Sequence, residues 1–452
     1  METISGGERV IRVLQAALQA VDPGMAIRHA LVRQGDTLHL AGETIDLRRF
    51  RRVFLIGFGK AGFPMAVAAS DILGDSLTSG LIVVKDALPI GDENQSWNSL
   101  STSRIRFLMG SHPIPDEFSL NAGQEMMTFL QTCQEDDLII CLISGGGSAL
   151  VSVPVLGVSL ANLQTLTSLL LSCGAGIQEI NTLRKHLDLV KGGGLARRVY
   201  PAQLFTLILS DVVGDTLDVI ASGPTTPDST SYQDAWDVLS RYSLLEKIPS
   251  SIRDHLDAGR FGRLTETPKP GDVLFKNVRN SLVGSGFLAA RAALIQAGLE
   301  GFQGLLLTTS LEGEARQIGR FLASIARQVS QSGDPLPRPA CLVSSGETTV
   351  TISGTGLGGR NQELALGAVA ALAGLKNTIL IALATDGGDG PTDAAGAVVT
   401  GETLSRAQKL GLDPFDFLQR NDSYHFFEPL GDLLRPGPTL TNVNDLSLIF
   451  LS

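Results

Sequence analysis

Val53-Phe54-Leu55-Ile56-Gly57-Phe58-Gly59-Lys60-Ala61-Gly62 is the stretch that decides the fold. Four apolar residues of strand character run into three glycines, the pattern of a buried strand closed by a tight turn. Phe63 to Leu73, rich in alanine, reads as the helix that follows. Strand, glycine turn and helix in that order aim backbone N–H groups at an anion. Gly57, Gly59 and Gly62 also spell G-x-G-x-x-G, with Asp86 at the end of the next predicted strand, 24 residues on. Taken alone, this suggests a dinucleotide site, although many phosphate-binding turns share the spacing. A Walker A loop is excluded: Phe54 stands five residues before Gly59, and Ala61 replaces the magnesium-binding hydroxyl. Lys60 is either an exposed turn lysine or, the better expectation at a strand's carboxyl end, the cation of a phosphate site.

Outward from this turn, strands are expected at Leu81–Val84, Ile105–Met109, Leu138–Ile143 and Leu204–Leu209. Helices are expected at Glu8–Val21, Phe63–Leu73, Leu120–Gln131 and Leu160–Ser172. Alternation of this kind implies a mostly parallel sheet covered on both faces, with ligands beyond the carboxyl ends of its strands. A shift toward proline and charge between Leu245 and Asp272 reads as an interdomain connection. The expected domains are therefore 1–255 and 273–452, joined by 256–272. The second is also α/β, with strands near Ser281–Val283, Leu305–Thr308, Cys341–Val343, Thr349–Ile352, Ile379–Ala384 and Leu448–Leu451, and an exposed loop at 331–339.

With 452 residues, 43% hydrophobic and 18% charged, the chain has the composition of a soluble globular protein of two domains. The 36 Lys+Arg against 46 Asp+Glu give −10, which argues against nonspecific nucleic-acid or anionic-membrane binding. Cys133, Cys141, Cys173 and Cys341 lack metal-like spacing and read as reduced thiols of an intracellular, cytoplasmic protein. No secretory signal and no membrane-length apolar run is apparent.

The chemistry-bearing stretches follow predicted strands. After Leu138–Ile143 come Ser144, Gly145, Gly146, Gly147 and Ser148, a run that reads as a backbone nest for a bulky anion or as a tight turn. It is not a nucleophile elbow, because Leu150 stands where G-x-S-x-G needs its last glycine. On a helix predicted over Ile177–Val190, Asn181, Arg184, Lys185 and Asp188 share one face, and Lys191 with three glycines ends it. That face is either solvated or anion-binding. Ser210 and Asp211 follow Leu204–Leu209. Asp211 is the stronger candidate for a magnesium or hydroxyl ligand, and Asp215 shapes the turn. His112, before a proline, is as well read as structural as substrate-binding.

Farther on, Gly358-Gly359-Arg360-Asn361-Gln362-Glu363 opens a helix. An arginine there opposes the helix dipole, which makes sense if an anion binds. The run from Asp386 through Asp389 to Asp393 is not an EF-hand, since Pro391 and Ala397 occupy its glycine and glutamate places. Asp386 and Asp389 remain candidate ligands of a magnesium–phosphate complex. A polar cluster at Thr441-Asn442-Val443-Asn444-Asp445 precedes the last strand.

Together, and in this order, Gly57–Ala61, Ser111–Asp116, Ser144–Leu150, Asn181–Ala196, Ser210–Thr225, Gly358–Glu363, Asp386–Ala397 and Thr441–Asp445 resemble the MOFRL-type glycerate 2-kinases over nearly the whole chain. The resemblance implies an N-terminal Rossmann-like three-layer α/β/α domain, a C-terminal α/β MOFRL domain with a mixed sheet, and a cleft between them. It implies phosphorylation of D-glycerate at the 2-hydroxyl by ATP, with Mg2+, by a monomer or homodimer. It makes Lys60 and Arg360 the catalytic pair. Binding is expected from Gly59, His112, Ser144 to Ser148, Asn181, Arg184, Lys185, Lys191, Ser210, Asp211, Asn361, Glu363 and Asn442. Asp211, Asp386 and Asp389 are the metal candidates. The competing expectation is an NAD(P)H-dependent hydroxypyruvate reductase, resting on the three glycines and Asp86. Ala384, Ser345 and Leu440 depart from the family by standing where glycine is usual.

Overall fold

Apolar runs buried on both faces can be satisfied only inside a covered sheet. In the computed structural model, which describes residues 7–85 and 102–452, the strands Arg52–Phe58 and Asp137–Ile143 are buried almost throughout. They are the central pair of a six-stranded sheet ordered Ile105–Met109, Ser79–Val84, Arg52–Phe58, Asp137–Ile143, Gln203–Leu209, Val278–Gly284. The first five strands are parallel, with Gly57 opposite Leu142 and Phe58 opposite Ile143. This register puts the glycine turn and the Ser144 loop side by side at one end of the sheet. Asp86 lies outside the described residues.

The second sheet is mixed, as its more varied burial suggests. Its order is Gln303–Glu314, Ala340–Thr349, Asp445–Leu451, Thr378–Ala384, Gly396–Thr400, Leu433–Leu434. Only the first pair is parallel. Thr349–Ile352 is not a strand of its own; its first residue ends Ala340–Thr349. Gly396–Thr400 and a small antiparallel sheet over Leu31–Gln34, Thr37–Leu40 and Glu43–Asp46 give no clear sequence signal, being four or five residues each.

Two compact units result, and they cut the chain differently from the expected boundaries. One holds Pro23–Leu209 and Asp215–Val283. The other holds the first 22 residues, Ser210–Gly214 and Gly284–Ser452. Residues 256–272 do not link the units. The helix Ser250–Arg260 buries Ile252 and Leu256 in a core with Leu183, Leu187, Tyr232 and Leu239 of the first unit. The N-terminal helix Gly7–Gln19 belongs instead with the C-terminal half. It packs on Gly286–Leu299, with Arg12 bidentate on Glu300 at 2.7 and 2.8 Å and Arg9 over the Phe302 ring. Charge and proline in a short segment mislead here, because a surface helix needs only a few apolar residues to dock. Among the described residues, no helix is long and apolar enough to cross a membrane.

Candidate functional site

In the first unit, the two loops at the sheet's carboxyl end are laced together. The amide of Lys60 donates to the Gly145 carbonyl at 2.9 Å and that of Ala61 to Ser144 Oγ at 3.0 Å. Gly59 and Gly62 donate to Val83 and Gly59 carbonyls. Gly59 is at φ +142, and a Cβ there would lie 2.1 Å from Ser144 Oγ. The glycines of the turn therefore permit close packing of one loop on another, and their N–H groups are not aimed at an anion. The cradle is the neighbouring loop. Among the described residues, the amides of Gly145, Gly146, Gly147 and Ser148 find no protein acceptor, four successive donors at the start of a helical turn.

Lys60 contributes its side chain to this cradle. Its ammonium is exposed and forms no hydrogen bond or ion pair with a described residue. A Cβ on Gly146 would stand 3.3 Å from Lys60 Cε and 2.9 Å from His112 Cδ2, so both side chains border the same backbone. Burial, and then the Lys60 charge, push the His112 imidazole below its usual pKa, leaving it neutral near pH 7. Asp116 steadies the loop carrying His112: it accepts from Ser111 Oγ at 2.5 Å and caps the helix Glu117–Phe129 through the amides of Phe118 and Ser119.

The helix predicted over Ile177–Val190 ends earlier, at Leu187, because Asp188 turns extended. Its expected polar face is mostly turned inward: Asn181, Lys185 and Asp188 are buried, with His186, and Arg184 is partly exposed. Asn181 Oδ1 accepts from Ser222 Oγ at 2.9 Å, and Ser222 Oγ lies 2.8 Å from Ser148 Oγ, a relay ending at the cradle. Lys185 points elsewhere, into carboxylates of Asp218 at 3.0 Å and Asp228 at 3.5 Å, which is a structural pairing. Lys191 is held by Asp188 at 2.6 Å. The glycines after it do not form a free nest: Gly192 and Gly193 donate to Ser222 and Gly223, and Gly194 to Lys191. Ser222, at φ +60, falls within the Ser210–Thr225 stretch but is not among the expected binding residues. No sequence pattern foretells a serine in the left-handed region, although its place in the motif was a signal.

In the second unit, Arg360 begins the helix Arg360–Leu372. It is bidentate on Asp445 at 2.6 and 3.1 Å and also donates to Glu347. Burial opposes the charge, yet these carboxylates hold the guanidinium pKa above its usual value. Burial raises Asp445 to about 6, with Arg360 acting in the other direction. Three of five guanidinium donors are thus engaged. Glu347 and Asp445 were not expected as partners. The arginine that appeared to await an anion has two protein anions at hand.

Asp389 is a helix cap, not a free ligand. Its carboxylate accepts from the amides of Asn361 at 3.1 Å and Gln362 at 2.8 Å. Gly359 allows this approach, since a Cβ there would lie 2.2 Å from Asp389 Cγ. Glu363 is buried against Arg316 and Asn421. Asn361 keeps a buried Oδ1 without a partner, and Asn442 accepts from the Asn444 amide. Ser210 folds onto its own turn through the Val212 amide, and Asp211 is partly exposed beside it. Asp386 is exposed and accepts from the Gly388 amide. Among the described residues, no three His, Cys, Asp or Glu side chains gather as metal ligands. With Asp389 engaged in capping, Asp211, Asp386 and Asp389 do not fit a preformed Mg2+ cage.

A glycine-nest parallel sheet joined in one chain to a mixed sheet with a half-buried arginine–carboxylate cluster defines a two-unit α/β enzyme that handles anions. Two family patterns cover it: a domain of unknown function, DUF4147, over residues 9–257, and the MOFRL family over 340–445. The chain is 41% identical over 439 residues to the D-glycerate 2-kinase of Thermotoga maritima, spanning 96% of each. It is 40% identical to the glycerate 2-kinase of Pyrococcus horikoshii, over 98% of this chain and 96% of that one. The crystal structure of a Thermotoga maritima glycerate kinase superposes with a TM-score of 0.86 at 40% identity, covering 99% of this chain and 100% of the other. The chain belongs to the MOFRL-type glycerate 2-kinase family.

Proposed function

We propose that the protein is a D-glycerate 2-kinase that takes the γ-phosphoryl group of ATP and yields 2-phosphoglycerate and ADP. The observation that carries this reading is the Lys60 ammonium bordering four backbone amides, all without a protein partner among the described residues. Phosphoryl transfer needs charge neutralisation and in-line positioning more than covalent help, and this arrangement supplies both kinds of donor. The 2-hydroxyl oxygen forms the new P–O bond as the β–γ bridging bond breaks, and the hydroxyl proton leaves. Neutral His112 beside Lys60 is a side chain able to accept it. Arg360 keeps two N–H donors able to meet a phosphate oxygen, fewer than a free arginine, so we assign it a smaller catalytic share than Lys60.

Mg2+ is proposed to arrive on the phosphates of ATP, as this ion commonly does with one or two protein carboxylates at most. Asp386 and Asp211 are the carboxylates exposed enough to meet it. The four free cysteines, three of them buried, support a cytoplasmic setting.

The test is ADP release by purified protein with ATP, Mg2+ and D-glycerate, with the product's phosphate position read by 31P NMR. No ADP above the glycerate-free control overturns the proposal. A second reading is kept because a relative from Agrobacterium vitis, 39% identical over 99% of this chain, carries the name hydroxypyruvate reductase. The amides of the G-x-G-x-x-G turn are engaged by the Ser144 loop and the turn itself, which speaks against a dinucleotide there. Sustained NADH oxidation with hydroxypyruvate is the outcome that favours this second reading.

A further inference from the structure

Behind the glycine nest, the first unit contains a small cavity of about 40 Å3, bordered by Pro115, Ser148, Ser152, Arg184, Asp188 and Lys191. Its remaining walls are leucines, an isoleucine, Ala149 and Thr167. A water-sized sphere needs roughly 10–15 Å3 of such space, so there is room for about three non-hydrogen atoms. That suits one carboxylate head group and is far below the ~300 Å3 or more of a site for a drug-sized or nucleotide ligand.

The charges around this cavity do not cancel. Arg184 and Lys191 are cations and Asp188 is the only carboxylate lining it. Asp188 already accepts four hydrogen bonds, three of them on one oxygen. One oxygen takes Lys191 Nζ at 2.6 Å, Ser152 Oγ at 2.7 Å and the Val153 amide at 3.1 Å. The other takes the Val190 amide at 2.9 Å. Arg184 feels the Asp188 charge, yet it forms no hydrogen bond or ion pair with any described residue. Arg184, partly exposed at the cavity edge, therefore has no hydrogen-bonded carboxylate of its own among the described residues, a place that a ligand carboxylate can fill. Arginine is the side chain suited to hold a carboxylate there, through two parallel N–H donors.

We propose that Arg184 binds the carboxylate of the phosphoryl acceptor, and that this cavity makes the enzyme selective for small 2-hydroxy acids. The proposal rests on the kinase reading above and assigns a subsite within it. Ser148 belongs both to this cavity and to the nest bordered by Lys60, so an acid anchored at Arg184 presents its adjoining carbons toward the nest. The 2-hydroxyl is attached next to the carboxylate carbon and the 3-hydroxyl one carbon farther, which gives the anchor a means of selecting between them.

The experiment compares wild type with Arg184→Met and Arg184→Lys. In Arg184→Met, the KM for D-glycerate rises about 30-fold or more, the scale of losing one partner of a desolvated charge pair, while the KM for ATP stays within about twofold. Arg184→Lys, which keeps charge without the bidentate fork, falls between. Slow phosphorylation of glycerol, which lacks the carboxylate, is the same in all three proteins. Removing a cation with no hydrogen-bonded carboxylate among the described residues leaves the ligand-free Tm of Arg184→Met unchanged or higher, whereas loss of a merely structural arginine lowers it. The thermal shift that wild type gains from D-glycerate without ATP disappears in Arg184→Met. An unchanged glycerate KM, an equal rise in both KM values, or a lowered ligand-free Tm overturns the assignment. If wild type makes no ADP from glycerate but its glycerate-dependent thermal shift requires Arg184, the kinase reading fails and the carboxylate subsite stands.

Discussion

At the scale of single residues, Lys60 has no structural partner among the described residues. Its replacement by alanine is expected to leave stability within about 0.5 kcal/mol, as for an ordinary surface change, and to lower kcat by ~10²-fold or more. Chemical denaturation and ADP release on the same preparation check both halves; near-normal turnover removes Lys60 from the reaction. His112 adds a pH signature. Burial and the Lys60 charge lower its pKa, so it takes up its proton at a lower pH than an ordinary histidine. The acid limb of kcat/KM is expected below pH 6.5 in wild type, and to lose this component in His112→Gln.

Leu440 is a different residue-scale case. It stands where the family usually has glycine, at φ +61 with 63% of its surface exposed. A left-handed L-residue costs roughly 1–2 kcal/mol, and glycine's extra freedom in the unfolded chain returns ~0.5–1 kcal/mol of that. Leu440→Gly is therefore expected to stabilise the protein by up to ~1 kcal/mol in urea titration. The sequence signalled Lys60 and the odd place of Leu440 because each is a matter of residue type in a motif. It did not signal that Lys185 pairs with Asp218 and Asp228, or Arg360 with Glu347 and Asp445. Those partners lie 13 to 85 residues away and are set by packing.

At the scale of elements, the strands and most helices follow from apolar patterning, and Leu160–Ser172 matches its expected bounds. The direction of the amides does not follow. Both glycine turns after predicted elements looked equally suited to anions. Strand register decides between them, because it sets Gly59 against Ser144 and leaves 145–148 open. Similarly, Asp389 reads as a metal ligand until the helix Arg360–Leu372 is seen to begin on its carboxylate. Replacing Asp389 with alanine removes a cap accepting from two amides and is expected to cost ~1–2 kcal/mol. Arg360 stands at the first position of that helix, so kcat is expected to fall as well. An unaltered denaturation midpoint shows that the cap is dispensable.

At the scale of the molecule, the class of both sheets was legible and the partition of the chain was not. The N-terminal helix carries no mark that it joins the far end of the sequence. Its attachment is sensitive to acid. The Arg12 hydrogen bonds outweigh the other influences on Glu300 and hold its carboxyl at about 2, against 4.5 for the unperturbed group. A lowered folded pKa means that the unfolded chain binds the proton first. The stabilisation is therefore full above pH 4.5 and is lost as pH falls toward 2. Acid titration followed by circular dichroism should show a shallower decline over that range in Glu300→Gln than in wild type.

The placement of that helix has a bearing on how the polypeptide emerges during synthesis. The unit built from Pro23–Leu209 and Asp215–Val283 has its whole sequence available once residue 283 has left the ribosome. Its companion includes the helix Gly7–Gln19 but receives the strand Asp445–Leu451 only after some 425 further residues have been made. That strand lies between Ala340–Thr349 and Thr378–Ala384, so neither neighbour has this partner until the strand itself has been made. The N-terminal helix must therefore wait, its apolar side without its final surface, while some 260 residues fold after it. Stalling translation a few residues short leaves the Lys60 half able to form and the Arg360 half without its middle strand.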